Sequence, residues 1–289
     1  MTKPMGAALS RSHALRPMRF RGERRYALAL HEGFDREEVR TAAVDGALLA
    51  YGFVDARSAD TVFERLDWEP LGPAPALVRP LRLAAAAHRL AWPEAARALL
   101  PKVALLAPFG RRHRTGVREI AVGDPRISRL WDRFSIDIGV GIERNAAWVG
   151  ERIFGRLDRG YRIFIFEDGD RYAIRALCIF RTKDEGGVRN GYVMELLHDR
   201  SVTGMRAASH LLGLALREMS DAGAENALAW SLQHSGSYPI YARHAFFSAP
   251  RRTPTADLVM GVCAFDPLAE GLVARRERWY LSYLDVDAV

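Results

Sequence analysis

The chain has 289 residues, of which 49% are hydrophobic and 27% charged, a composition typical of globular proteins rather than disordered ones. It is long enough for one large domain or two ordinary ones. Its most apolar stretch, residues 81–106, contains charges and two prolines, whereas a membrane helix needs roughly 20 uninterrupted apolar residues. The first residues have no secretory-signal pattern. These features predict a cytoplasmic protein that does not bind membranes.

The net charge of +7 comes almost wholly from arginine, since Lys3, Lys102 and Lys183 are the only lysines. This skew is typical of genome composition, so nucleic-acid binding is not expected, although the same charge also attracts a phosphate-rich cofactor. The two cysteines, Cys178 and Cys263, fall in strand-like runs. We expect buried, reduced thiols, and no spacing suggests a metal site.

The first half of the chain begins with a helical pattern. Apolar residues recur on one face from Gly22, with Tyr26 and Leu30 among them, and predict a helix starting there. Asp35 and Glu38 have the spacing of a capping box and predict a second helix to about residue 44. Further along, the patterns predict a strand over 47–53, a helix over 57–66, two extended pieces within 68–81, and alanine-rich helices over 84–90 and 93–100.

The second half has clearer boundaries. The predicted elements are helices over 126–134 and 143–154, strands over 161–167, 172–181 and 188–198, a helix over 204–222, a strand over 226–233, a helix over 238–244, and extended pieces near 246 and over 258–265. Three hairpin-linked strands precede the first crossover, which excludes a simple Rossmann repeat. The expected fold class is α/β, of the α+β type with a mixed sheet.

This element order over residues 120–265 resembles the GNAT acyltransferase domain. The segments RFRGERRYAL (Arg19–Leu28), YGF (Tyr51–Phe53) and VFERLDWEPLG (Val62–Gly72) resemble the back part of a second copy. The resemblance implies a tandem GNAT-like protein whose first copy lacks its opening strands. Either the domain is truncated, or its start is misassigned, or the second half lends strands to complete it. We expect a partial domain over 1–83, a connector over 84–119, and a second GNAT-like domain over 120–289.

In GNAT proteins a motif Q/R-x-x-G-x-G/A opens the helix whose N-terminus binds the diphosphate of acetyl-CoA. Helix amides and the helix dipole attract the anion there. The resemblance implies acetyl-CoA or another acyl-CoA as co-substrate, with cofactor contacts in a single stretch of the first half. These residues are Arg19, Arg21, Gly22, Glu23 and Arg24. Arg24 replaces the second small residue, so its side chain either reaches the phosphate or blocks the loop.

Acyl transfer to an amine needs a base for the amine and an acid for the leaving thiolate. The segment YARHAF (Tyr241–Phe246) resembles the Y-x-x-x-G-F segment of the family, with Ala245 in place of glycine. It implies Tyr241 as the acid, while Glu195 is the candidate base. In the first half Phe63 occupies the tyrosine position and cannot donate a proton. His198 and His234 are alternative bases.

The leading hypothesis is an acyl-CoA-dependent N-acyltransferase, acting on a small-molecule or peptide amine in a bacterial cytoplasm. The rival is a non-catalytic GNAT-like binding or assembly protein with a degenerate cofactor site. It is motivated by Arg24, by Phe63 and by the missing opening strands. The helix start RSVTGMRA (Arg200–Ala207) has one glycine and no second small residue, so the cofactor loop of the second half is expected to be degenerate. A third idea is nucleic-acid binding through the basic run at residues 111–114, which predicts steep salt dependence.

Overall fold

A computed structural model describes residues 15–20, 23–30, 46–82, 115–121, 123–153, 159–169, 173–250, 253 and 256–286. Its strands are β1 (Leu15–Phe20), β2 (Glu23–Leu30), β3 (Leu49–Asp55), β4 (Glu69–Pro73), β5 (Ala76–Pro80), β6 (Val117–Glu119), β7 (Val140–Ile142), β8 (Arg162–Glu167), β9 (Ile174–Glu185), β10 (Val188–His198), β11 (Asn226–Trp230), β12 (Phe247–Ser248) and β13 (Leu258–Ala264). Its α-helices are α1 (Ala59–Leu66), α2 (Arg126–Phe134), α3 (Ala146–Arg152), α4 (Val202–Asp221), α5 (Tyr238–Arg243) and α6 (Pro267–Val273).

The strands form two mixed sheets. The first sheet has the order β4-β13-β3-β2-β1-β7, with β2 and β3 parallel. The second sheet has the order β12-β5-β11-β10-β9-β8-β6, with β10 and β11 parallel. A parallel pair flanked by antiparallel neighbours confirms the predicted mixed α/β class.

Each sheet contains a strand from the other end of the chain. Strand β5 precedes the predicted boundary at residue 83 but pairs with β11 and β12 in the second sheet. Strand β13 follows the second-half strands but pairs with β3 and β4 in the first sheet. The division of the chain into 1–83, 84–119 and 120–289 stays a prediction. The two sheets do not follow these boundaries, because β5 and β13 each pair with strands on the other side of them.

The helix predicted from Gly22 is wrong, because Glu23–Leu30 forms strand β2. It pairs antiparallel with β1 in a hairpin whose last pairs are Arg19 with Arg24 and Phe20 with Glu23. Four or five apolar residues in this short segment fit a helical face and an alternating strand equally well, and the pairing with β1 and β3 decides between them. The helices predicted over 35–44, 84–90 and 93–100 lie outside the described residues.

The main core lies between the two sheets. It joins residues of the first sheet such as Tyr51 to residues of the second such as Trp230, together with the C-terminal segment 279–286. Helix α4 covers the opposite face of the second sheet, where a row including Leu211 and Met219 is buried against β8, β9 and β10. In the described part of the chain, no helix combines the length and hydrophobicity needed to span a membrane.

Candidate functional site

Strands β10 and β11 stop pairing halfway along β10. Their parallel ladder runs from Asn190 with Asn226 to Val193 with Ala229. A register shift between Val193 and Glu195 then leaves Met194 as the extra residue of a β-bulge. Beyond it β10 continues to His198 alongside β9 alone, while β11 pairs with β5. Bulges and separating parallel strands are common next to binding sites, because they leave backbone groups for a ligand.

Tyr241 lies on the short helix α5, which follows β11. Its ring is buried, with 2% of the residue exposed, and packs edge-on against Phe246 at a centroid distance of 5.3 Å. Within the described ranges no group hydrogen-bonds its hydroxyl. Burial raises the pKa of Tyr241 well above its usual value, and the proximity of Cys178 and Glu195 raises it further. The hydroxyl therefore keeps its proton at neutral pH and is a donor without an acceptor.

Glu195, the predicted base, is buried in an ion cluster at the bulge. The Arg144 Nε donates to its Oε2 at 2.7 Å, and the Ser282 hydroxyl donates to the same oxygen at 2.9 Å. Its Oε1 accepts from the Leu196 amide at 2.9 Å and from the Tyr280 hydroxyl. Because both oxygens have partners and the side chain is 1% exposed, the geometry gives no support to a base role for Glu195, which stays a prediction.

The same cluster attaches the C-terminal segment to the bulge. Arg144 is fully buried, and its Nη2 also donates to Asp285 Oδ2 at 2.7 Å and to Ser282 Oγ at 3.1 Å. The guanidinium lies 4.8 Å from the centroid of the Trp148 ring. Removing one partner of a buried ion pair costs about 3–5 kcal/mol, because a charge is left unpaired. Sequence reasoning missed Arg144, Ser282 and Asp285 because they are distant in the chain. Arg144 and Ser282 lie 51 and 87 residues from Glu195, and Asp285 lies 141 residues from Arg144.

The start of helix α4 is filled by the protein's own side chains. Ser201 caps it by accepting from the Gly204 amide at 2.9 Å. The Asp199 carboxylate accepts from the Ser201 amide and hydroxyl and pairs with Arg175 at 2.9 Å. Burial raises the pKa of Asp199, but these hydrogen bonds outweigh it and hold the pKa below its usual value. A negative carboxylate therefore occupies the place where a helix N-terminus attracts an anion.

Three of the five predicted cofactor residues of the first half lie in the paired strands β1 and β2. Arg19 is in β1, Glu23 and Arg24 begin β2, and Arg21 and Gly22 lie outside the described residues. The rationale that a helix N-terminus binds diphosphate here is removed, because β2 replaces that helix. Phe63, at the tyrosine position of this half, is 3% exposed and packs beside Trp68.

His198 and His234, the alternative bases, lie in different surroundings. The ring of His198 is buried at the end of β10, where its Nε2 is 3.1 Å from the Gly236 carbonyl oxygen, and burial lowers its pKa. His234 is an exposed residue after β11, and its Nε2 is 2.9 Å from the Trp279 carbonyl oxygen.

A cavity of about 740 Å³ borders the ends of β11 and β5. Its walls come from both ends of the chain: the β4–β5 connection, the residues after β11, helix α5, strand β12, the start of β13, and the segment 276–277. The polar residues among those lining it are Ser231, Gln233, His234, Tyr238, Ser248, Asp257, Arg276 and Glu277. Its volume is that of a small-molecule site.

Comparison with solved structures identifies the fold of this chain. No protein-family model matches the sequence, and no curated protein matches it. Saccharomyces cerevisiae N-myristoyltransferase, solved with bound myristoyl-CoA, is similar with a TM-score of 0.51 and 11% identity over 87% of this chain. A GCN5-related N-acetyltransferase from Anabaena variabilis is similar with a TM-score of 0.54 and 10% identity over 91%. One from Kribbella flavida gives 0.51 and 12% over 91%.

These matches confirm the fold predicted from the element order: the chain has the mixed α/β fold of the GNAT superfamily, which N-myristoyltransferase shares. The chain spans 62% of the length of the yeast enzyme and 61% and 59% of the two acetyltransferases. The tandem arrangement with a partial first copy stays a prediction.

Proposed function

We propose that this chain is an acyl-CoA-dependent N-acyltransferase whose chemistry takes place between β10 and β11. The observation that carries the proposal is Tyr241, a buried tyrosine whose hydroxyl has no hydrogen-bond partner in the described parts of the chain. It lies on the helix after β11, near the bulge at Met194. The fold is that of proteins named as N-acyltransferases, which supports the same class of reaction here.

In this proposal the nitrogen of a neutral amine attacks the thioester carbonyl, and the carbon–sulfur bond then breaks. The Tyr241 hydroxyl, which burial keeps protonated at neutral pH, gives its proton to the departing sulfur, and the proton that the nitrogen loses as the amide forms returns to the tyrosine oxygen. The nearby Cys178 does not compete as a nucleophile, since burial raises the pKa of its thiol and keeps it protonated. The acyl chain and the amine are not specified by these contacts.

The acyl end and the diphosphate end of an acyl-CoA fit this chain differently. The unpaired strand ends and the free hydroxyl suit a thioester, whereas Asp199 at the start of α4 repels a diphosphate. Diphosphate contacts at Arg19, Arg21, Gly22, Glu23 and Arg24 remain a prediction that rests on the positive charge of the three arginines rather than on a helix. Acetyl-CoA stays the expected co-substrate, with longer acyl-CoAs as the alternative.

Replacing Tyr241 by phenylalanine tests the proposal, because the substitution keeps the ring that packs against Phe246. We expect kcat to fall about 10²-fold, the lower end of the contribution of a positioned acid. The KM for acyl-CoA should change little. Release of free thiol from acetyl-CoA and from myristoyl-CoA, with a panel of amines, measures both quantities.

Tyr161→Phe is the matched control, since Tyr161 lies just before β8 and packs beside Arg181. It should retain full activity. Undiminished transfer by Tyr241→Phe would remove the acid role. Calorimetry provides a separate check: no heat and no thermal shift with either acyl-CoA at millimolar concentration would contradict the enzyme proposal itself.

A second candidate is a non-catalytic GNAT-like binding or assembly protein. The self-capped start of α4 favours it, because the Ser201 amide already donates to Asp199 and the Gly204 amide to the Ser201 hydroxyl. This candidate predicts a folded protein with a cooperative unfolding transition that neither binds acyl-CoA nor releases thiol. Measurable turnover would exclude it.

A further inference from the structure

Glu195 uses one of its carboxylate oxygens to bind the backbone of its own strand. Its Oε1 accepts from the amide of Leu196 at 2.9 Å, just beyond the bulge at Met194. If the parallel ladder continued past Val193 and Ala229, this stretch of β10 would lie beside the residues that follow Ala229 in β11. A buried backbone amide needs an acceptor, and Glu195 supplies it here in place of a β11 carbonyl. The contact therefore removes a donor that could extend the pairing of the two strands.

The carboxylate of Glu195 is held in place from the first sheet. Arg144, which donates to its Oε2 at 2.7 Å, comes two residues after the end of β7 and also donates to the Ile142 carbonyl oxygen at 2.9 Å. Tyr280 donates to its Oε1 through the hydroxyl, and the Tyr280 amide donates to the Val140 carbonyl oxygen at 2.9 Å. Both partners thus attach the carboxylate to β7, the edge strand of the first sheet.

Strand β11 is held by β5 along its other edge. Their antiparallel ladder runs on to Trp230 with Ala76, and the Ser231 amide donates to the Pro75 carbonyl oxygen at 3.0 Å. The residues of β11 after Ala229 are therefore aligned with β5 but not with β10. Because β5 fixes β11, the separation of β10 from β11 depends on what holds β10.

We infer that Glu195 is a positioning residue that keeps β10 and β11 apart beyond the bulge, so that the thioester can enter between them. The inference rests on the proposed acyl transfer at this place. Glu195 acts through the strand that it holds and does not touch the reacting atoms. Without its carboxylate the Leu196 amide pairs with β11, and only the molecules whose strands are separated bind the donor. The apparent affinity falls by that fraction, whereas the turnover of the bound complex is unchanged.

Two substitutions at Glu195 separate this role from that of a base. Glu195→Gln keeps an oxygen that accepts from Leu196 but has no basic group, so kcat and the KM for acetyl-CoA should both stay within about threefold of the parent values. Glu195→Ala removes the acceptor. If the strands then close in about nine molecules of ten, KM should rise about tenfold while kcat stays within about threefold. A general base would instead cost about 10²-fold in kcat in both variants.

Val262→Ala in β13 is the matched control, because it lowers stability through the first sheet and leaves β10 unchanged. Its KM for acetyl-CoA should equal that of the parent chain. Tyr280→Phe serves if Glu195→Ala does not fold, since it removes a single hydroxyl from the anchor of the carboxylate. In that variant KM should rise about threefold with kcat unchanged.

Nuclear magnetic resonance of the free protein tests the strand contact without any substrate. Interstrand contacts between residues 194–196 and 230–232 should be absent from the parent chain and from Glu195→Gln. They should appear in Glu195→Ala, and to a smaller extent in Tyr280→Phe. Their absence from both of these variants would overturn the inference.

The kinetic outcomes separate this inference from the proposed function. An unchanged KM in Glu195→Ala, or an equal rise in Val262→Ala, would overturn the positioning role and leave N-acyl transfer intact. A loss of about 10²-fold in kcat for Glu195→Gln would overturn it in favour of the base. A parent chain that binds no acyl-CoA would contradict the proposed function, and the interstrand contacts alone would then decide whether Glu195 separates the strands.

Discussion

Ala245 takes a backbone conformation that glycine favours. It follows the last turn of α5 with φ of +56°, at the position where the related GNAT segment has glycine. A left-handed conformation costs an L-residue about 1–2 kcal/mol. Ala245, which replaces the glycine of the related segment, therefore holds a strained backbone conformation four residues after Tyr241.

We expect Ala245→Gly to raise the free energy of unfolding by about 0.5–1 kcal/mol. Relief of the left-handed strain outweighs the roughly 0.5–1 kcal/mol that glycine loses in backbone entropy on folding. Ala242→Gly, one turn earlier within the same helix, should instead lower it by about 1 kcal/mol. Urea denaturation of both variants measures the difference, and equal effects would contradict the strain.

His244 makes stability depend on pH. Its Nε2 lies 2.9 Å from Ser209 Oγ, and burial followed by the charge of Arg79 lowers its pKa from 6.5 to about 4. The unfolded chain therefore binds this proton more readily than the folded one. Stability is full above pH 6.5, falls as the pH drops from 6.5 towards 4, and does not fall further below that through this group.

Thermal unfolding of the parent chain and of His244→Gln across pH 4 to 7 tests this. The glutamine keeps a hydrogen-bonding group near Ser209 but does not titrate. We expect the melting temperature of the variant to decline less steeply below pH 6.5 than that of the parent chain. Parallel curves would show that His244 does not cause the loss.

At the scale of elements, α1 packs directly on the exchanged strand β13. A Cβ atom built on Gly261 would lie 2.3 Å from the Phe63 ring. Gly261→Ala should therefore lower the free energy of unfolding by about 1–3 kcal/mol through overpacking. Gly271→Ala in α6 meets nothing within 4 Å and should leave stability unchanged or slightly raised. Chemical denaturation distinguishes the two, and similar stabilities would refute the contact.

Elements with strong local signals were predictable from the sequence. Strands β8, β9 and β10 are separated by glycine-rich turns, and α4 has both its Ser201 cap and a continuous apolar stripe. The segment Glu23–Leu30 has no such marker, and its partners β1 and β3 determine its conformation. That the second half lends strands to the first was one alternative left open by the sequence, but which strands are exchanged was not predictable, because no local pattern encodes the pairing of β5 or β13 with distant strands.

The candidate site was predictable to a similar degree. Tyr241 follows from the segment that includes Ala245 and Phe246. The base role of Glu195 stays a prediction, and its partners Arg144 and Tyr280 come from distant segments that the sequence does not connect to it. The contact between His234 and the Trp279 carbonyl oxygen could not be predicted, because the two residues lie 45 apart in the sequence.

At the scale of the whole molecule, strand exchange and a shared core predict one cooperative unfolding transition. Leu77→Ala perturbs the second sheet and Val262→Ala the first, and both residues are buried. Each should shift the same calorimetric peak, with a loss of about 2–5 kcal/mol for the leucine. Two peaks, of which each variant moves only one, would show that the sheets unfold independently.

The pairing of β3 with β13 also sets an order of events during synthesis. Leu49 pairs with Ala264, about 200 residues later in the chain. At roughly 5–20 residues per second, β13 leaves the ribosome about 10–40 s after β3. Throughout that interval the edge of β3 is open to other nascent chains. The protein's yield in a cell should therefore depend on elongation rate and on chaperones that shield this edge until the last strand arrives.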